Sequence, residues 1–91
     1  MVNVTVQKHG EGWVCDVAVD DAGQTTNHTV TVSADDLARW GHGRDLAAVG
    51  DLVSRSFAFL LERESPSAIL PRFDLSVIPR YFPEYHERFE R

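Results

Sequence analysis

The sequence predicts an α+β domain, on three observations: strict period-two alternation over its first third, helical periodicity from Ser33 to about Glu64, and a proline-punctuated aromatic tail after that. Val2, Val4 and Val6 fall on one side of a first strand, with Asn3, Thr5 and Gln7 on the other. Lys8-His-Gly-Glu-Gly12 supplies turn chemistry, and a second strand from Trp13 to Val19 places Trp13, Cys15, Val17 and Val19 together. Asp20-Asp21-Ala22-Gly23 reads as a hairpin turn, and Gln24 to Val32, rich in β-branched residues, as the third strand of an antiparallel meander.

Register follows from the length of that turn. A two-residue loop at Ala22-Gly23 pairs Cys15 with Val30 and Val17 with His28, whereas a four-residue loop sets Cys15 opposite His28. Both loops preserve side parity, so Thr26, His28, Val30 and Val32 share the core face with the apolar row of the second strand. The opposite face carries Asp16, Asp20, Asn27, Thr29 and Thr31, with Lys8 the cation nearest it, and is expected to meet solvent.

Ser33 followed three residues later by Asp36 resembles a capping box and starts a short helix to about Trp40, which Gly41-His-Gly43 ends. Asp45 can cap a long amphipathic helix reaching about Glu64, with Leu46, Val49, Val53, Phe57, Leu60 and Leu61 on its apolar stripe. Gly50 leaves two alternatives: a kink, or a true start at Asp51. Ser65-Pro66 is a helix restart, and Pro71, Pro79 and Pro83 forbid one continuous helix beyond it. Short helical turns and extended pieces are expected there, closing in a helix from about Pro83. In that helix Tyr85 and Phe89 lie at i,i+4, and Glu84–Arg88 and Glu87–Arg91 form charge pairs. The expected organisation is a core over residues 1–64 and a tail over 65–91, packed on the same domain or on a partner.

Composition bounds the function. Ninety-one residues suffice for one domain, with no room for a separate cofactor-binding unit. Nine Lys and Arg, eight of them Arg, stand against 14 Asp and Glu, a formal charge of −5, with most of the excess negative charge in the first half. Such a balance argues against binding the phosphate backbone of nucleic acid. A single cysteine, the absence of a long apolar run and the Met1-Val-Asn3 start point to a reducing cytoplasm, with no membrane association and no leader.

Few residues offer chemistry. Cys15 and His28 form the one plausible nucleophile–base pair, yet a core-facing cysteine lacks solvent access and a depressed pKa. The four histidines are scattered without metal-ligand spacing, and Asp20-Asp21 and Asp35-Asp36 are explained by turn propensity and a helix N-terminus. No phosphate loop or nucleotide fingerprint is present. Neither a cofactor nor a metal is expected.

The stretch Ser56-Phe-Ala-Phe-Leu-Leu-Glu-Arg-Glu64, then Ile69-Leu70, Arg72-Phe-Asp-Leu-Ser-Val-Ile78 and Arg80-Tyr-Phe-Pro-Glu-Tyr85, resembles the C-terminal signature of a group of small bacterial proteins. The resemblance covers about the last 35 residues. It implies a bacterial cytosolic protein and no catalytic activity.

The tail adds ten large apolar side chains from Ile69 to Phe89, more than a sheet and one helix are expected to enclose. The resulting expectation is a non-enzymatic protein-interaction module, an accessory or regulatory subunit, that forms a homodimer through the long helix and tail. Its expected contact anchors are Phe73, Tyr81, Phe82 and Tyr85, with Arg72 and Arg80 as orienting charges. An antitoxin-like or regulatory nucleic-acid binder is the alternative, because Arg72 and Arg80 interleave with aromatics. Third is a small enzyme with His28 or His42 in a pocket at a dimer seam.

Overall fold

In the computed structural model, which describes residues 1–21 and 23–89, the alternating segment forms β1 (Val2–His9), β2 (Gly12–Asp21) and β3 (Gln24–Val32). They pair as an antiparallel meander with Cys15 opposite Val30 and Val17 opposite His28, the register of the two-residue loop. Gly23 takes a φ of 80°, the left-handed conformation such a loop requires, while Ala22 lies outside the described residues. The sheet has a fourth strand that the sequence reading lacks. β4 (Arg72–Asp74) runs parallel to β3 at the far edge, giving the order β1-β2-β3-β4. Its three residues are too few to show a period, and its pairing comes from a segment 43 positions away.

Two caps set the helices. The Ser33 hydroxyl accepts from the Asp36 amide at 3.1 Å at the start of α1 (Ala34–Trp40), and Asp45 Oδ1 accepts from the Ala48 amide at 2.9 Å at the start of α2 (Leu46–Leu61). α2 is continuous through Gly50, so Asp45 rather than Asp51 is its cap. A Cβ at residue 50 would lie 3.6 Å from Val6 Cγ2, an ordinary contact, so the glycine faces β1. α2 ends at Leu61, a few residues short of Glu64. Ser65 turns extended (φ −71°, ψ 157°) ahead of Pro66, as a residue preceding proline prefers. A 3-10 turn (Pro66–Ala68) follows, then β4, α3 (Val77–Tyr81) and α4 (Glu84–Phe89).

One face of the sheet carries Cys15, Val17, Val19, Val30 and Val32, all buried beneath α2 through Val49, Val53 and Phe57. A second face of α2, presenting Leu52, Ser56 and Phe59, receives the tail. Tyr85 and Phe89 stack on each other at 4.2 Å and meet Phe59 edge-on, and Trp40 of α1 packs its ring edge against Tyr85. Ile69, Leu75, Ile78, Tyr85 and Phe89 are buried, so the body itself encloses much of the tail's apolar surface, which the sequence left open to packing on the same domain or on a partner. Glu62 accepts both terminal nitrogens of Arg88 at 2.8 and 2.9 Å, while Arg63 reaches Glu84 at 3.2 Å. These cross-helix pairs take the place of the expected Glu84–Arg88 pair; the expected Glu87–Arg91 pair lies outside the described residues. Hydrogen bonds from Arg88 hold the Glu62 carboxyl below its ordinary range. No helix among the described residues is long and apolar enough to cross a membrane.

Candidate functional site

Pro66, Pro71 and Pro79 force the chain into short pieces around the C-terminal end of α2, and these pieces leave a groove of about 230 Å³ between them. Buried Leu60, Ile69 and Ile78 line it together with half-buried Phe73 and Phe82. Leu70 and Tyr81 also border it, yet they are 48% and 70% exposed. Glu64 is the one carboxylate among the lining residues.

Polar contacts bind the segment that borders the groove to β3. His28 Nδ1 lies 2.8 Å from the Leu70 carbonyl, which can only accept, so Nδ1 carries the proton. Nε2, 2.9 Å from Thr26 Oγ1, then accepts from that hydroxyl in the neutral ring. The next carbonyl, of Pro71, accepts from the Thr29 amide at 2.8 Å, and the Leu75 amide donates to the Thr31 carbonyl at 2.9 Å. These bonds hold the backbone at the Leu70 and Pro71 carbonyls, and the Leu70 side chain stands exposed beside the groove.

Asp74 anchors the same strand. Burial pushes its carboxyl up, but bonds from the Ser76 hydroxyl and amide and from Thr31 outweigh that and hold it below the usual range. Asp36 moves the other way. Its partial burial, reinforced by the Asp74 charge, raises it.

Of the six residues expected to contact a partner, the structure gathers Phe73, Tyr81 and Phe82 at the groove. Tyr85 is fully buried and is a core group, not a surface anchor. Its hydroxyl lies 2.8 Å from Ser56 Oγ, whose own hydrogen goes to the Leu52 carbonyl, so the phenol donates. Burial pushes the Tyr85 phenol up to about 12. Arg72 sits on the opposite side of the sheet, in register with Thr29 and lining a polar cup with Asn3, Asp16 and Asn27. Arg80 is exposed on α3 next to Tyr81. Leu60, Ile69, Leu70 and Ile78 are groove residues that sequence reasoning missed. The signal was the apolar pair Ile69-Leu70 directly before Pro71, where only one of two neighbours can face inward.

Cys15 and His28 do not form a reactive pair. Cys15 is fully buried opposite Val30, and desolvation pushes its thiol up to about 11. His28 spends both ring nitrogens on Thr26 and Leu70 and packs 5.3 Å from Phe57. Lys8 lies 4.6 Å above the Trp13 ring on the helix-covered side, so it does not border the open polar face as expected. Among the described residues no three His, Cys, Asp or Glu side chains gather as a metal site would require. Comparison with family models, curated proteins and solved structures finds no match to this chain.

Proposed function

We propose that this chain is a non-enzymatic protein-interaction module of the cytosol, an accessory or regulatory subunit, whose docking element is the groove between the end of α2 and the tail. Exposure of Leu70 and Tyr81 at an otherwise apolar groove carries the reading. The rest of the tail's large apolar side chains are buried or half-buried, so these two represent apolar surface that the fold leaves unused.

The volume favours a side chain over a small-molecule substrate. Pockets for drug-sized ligands run to about 300–1,000 Å³, and the groove measures about 230 Å³. Its polar lining is Glu64 and the Tyr81 hydroxyl, without the convergent acid, base and nucleophile that a reaction would need. The occupant that fits is an apolar or aromatic side chain of another protein, next to a basic residue able to face Glu64. Nucleic acid is the weaker reading, because Arg72 points into a face that also carries Asp16 and is separated from the aromatics by the sheet.

Photo-crosslinking in the native host tests this. A benzophenone amino acid in place of Tyr81 leaves the core untouched and is expected to give a discrete protein adduct. The same residue in place of Thr25, at the exposed hairpin, is expected to give none. Leu70→Glu should abolish the Tyr81 adduct while shifting thermal stability by less than about 1 kcal/mol. Adducts to nucleic acid, or no adduct, would refute the groove as a protein-docking site.

A further inference from the structure

We propose that two copies of this chain join edge to edge through β1, forming one continuous antiparallel sheet across a two-fold axis at Thr5. This surface is separate from the groove, and the inference does not rest on the groove's role.

The backbone shows which groups are free. Met1 and Asp20 exchange both hydrogen bonds: the Asp20 amide donates to the Met1 carbonyl at 2.8 Å, and the Met1 amino group donates back to the Asp20 carbonyl. In an antiparallel ladder such pairs alternate, so odd-numbered residues of β1 bond inward to β2. The amides and carbonyls of Val2, Val4, Val6 and Lys8 therefore face the open edge. Among the described residues no backbone group outside β2 bonds to β1.

Natural edge strands are usually blunted by proline, a bulge, shortness or an outward lysine. Of these defences β1 has only a lysine, Lys8, one residue from its end. Its eight residues pair with β2 without interruption, it contains no proline, and Lys8 is turned onto Trp13. Val2, Val4 and Val6 remain only half-buried under α2, which leaves an apolar seam along the edge.

Charge selects a second copy as the occupant. The protein carries a net −5, yet residues 1–10 hold no Asp or Glu, so β1 is the strand at which two copies meet without opposing carboxylates. An axis at Thr5 uses the whole strand: Val2 meets Lys8 of the mate, Val4 meets Val6, Asn3 meets Gln7, and Thr5 meets Thr5. Each of these is a neutral or favourable cross-strand pair. The axis also brings the two α2 helices together over the seam. On α2, the stripe Ala47, Asp51, Ser54 and Ala58 at helical spacing carries one charge, Asp51, which Arg55 pairs at 2.9 Å, while Arg55 and Glu62 also reach Phe89 and Arg88.

Oxidative crosslinking of Thr5→Cys, with sedimentation equilibrium of the native chain, tests the proposal. Residues facing each other in a non-hydrogen-bonded pair have Cα atoms about 4.5 Å apart, within the about 4.4–6.8 Å that a disulfide spans. Thr5→Cys is expected to crosslink nearly completely as a dimer, and Thr25→Cys, exposed at the far hairpin, is not. The native Cys15 is buried and gives no background. Thr5→Lys opposes two ammonium groups at the axis and should raise the dimer dissociation constant several-fold, with an unchanged circular dichroism spectrum. A native chain that sediments as a monomer at about 100 μM, where any interface of micromolar affinity is filled, would overturn the proposal. So would a dimer lost on Tyr81→Ser but indifferent to Thr5→Lys.

Discussion

Ending the chain at Glu64 is expected to abolish cooperative folding, not to yield a smaller domain. The missing segment supplies buried Ile69, Leu75, Ile78, Tyr85 and Phe89. Burial of each large apolar side chain is worth about 1.5–3 kcal/mol, so the loss is on the order of 10 kcal/mol and comparable to the whole stability of a small domain. Truncation also uncovers Phe59 and Trp40, which the tail seals from outside, and it removes β4 from the edge of β3. Thermal unfolding followed by circular dichroism should show a sigmoidal transition for the full chain and none for residues 1–64. A cooperative transition in the shortened chain would mean that the sheet and α2 are self-sufficient.

Tyr85→Ala is the point substitution expected to cost most. Removing a buried aromatic ring typically costs about 3–5 kcal/mol, and here the ring touches Trp40, Phe59 and Phe89 at once. Tyr85→Phe separates the ring from its hydroxyl. Ser56 keeps its donor bond to the Leu52 carbonyl in that variant and loses only the proton it accepts, so a cost of about 1 kcal/mol is expected. Urea denaturation measures both, provided the slope is unchanged. Equal costs for Ala and Phe would show that the hydroxyl, not the ring stack, holds the tail.

The sheet was legible because its signals are local. Alternation named the core face of β1, β2 and β3, and turn length narrowed the register to two choices, of which the structure has the one that puts Val17 opposite His28. Ser33 and Asp45 announced two helices for equally local reasons, each a side-chain oxygen with an amide three residues ahead. The tail was harder because long-range pairing decides its geometry. Without β4 there was no way to see that Arg72 and Phe73, adjacent in sequence, must point to opposite sides of the sheet. Tyr81 and Tyr85 sit four apart, a spacing that on one helix puts both on one face. Phe82-Pro83 divides them between α3 and α4, and one ends exposed while the other is fully buried. The ion pairs crossed to α2 for the same reason: Arg88 and Glu84 face the end of another helix, where Glu62 and Arg63 offer closer partners than their own helix does.

Both surfaces assigned to partners depend on the tail being an integral part of one core, since only then are Leu70 and Tyr81 fixed at a groove and α2 held over β1. Native-state amide hydrogen exchange reads this most directly. The Leu75 amide, bonded to Thr31, and the Phe82 amide, bonded to Ile78, are expected to open with the same free energy and denaturant dependence as the β2–β3 amides around Cys15 and Val30. Tail amides that exchange through a separate, far cheaper opening would contradict it.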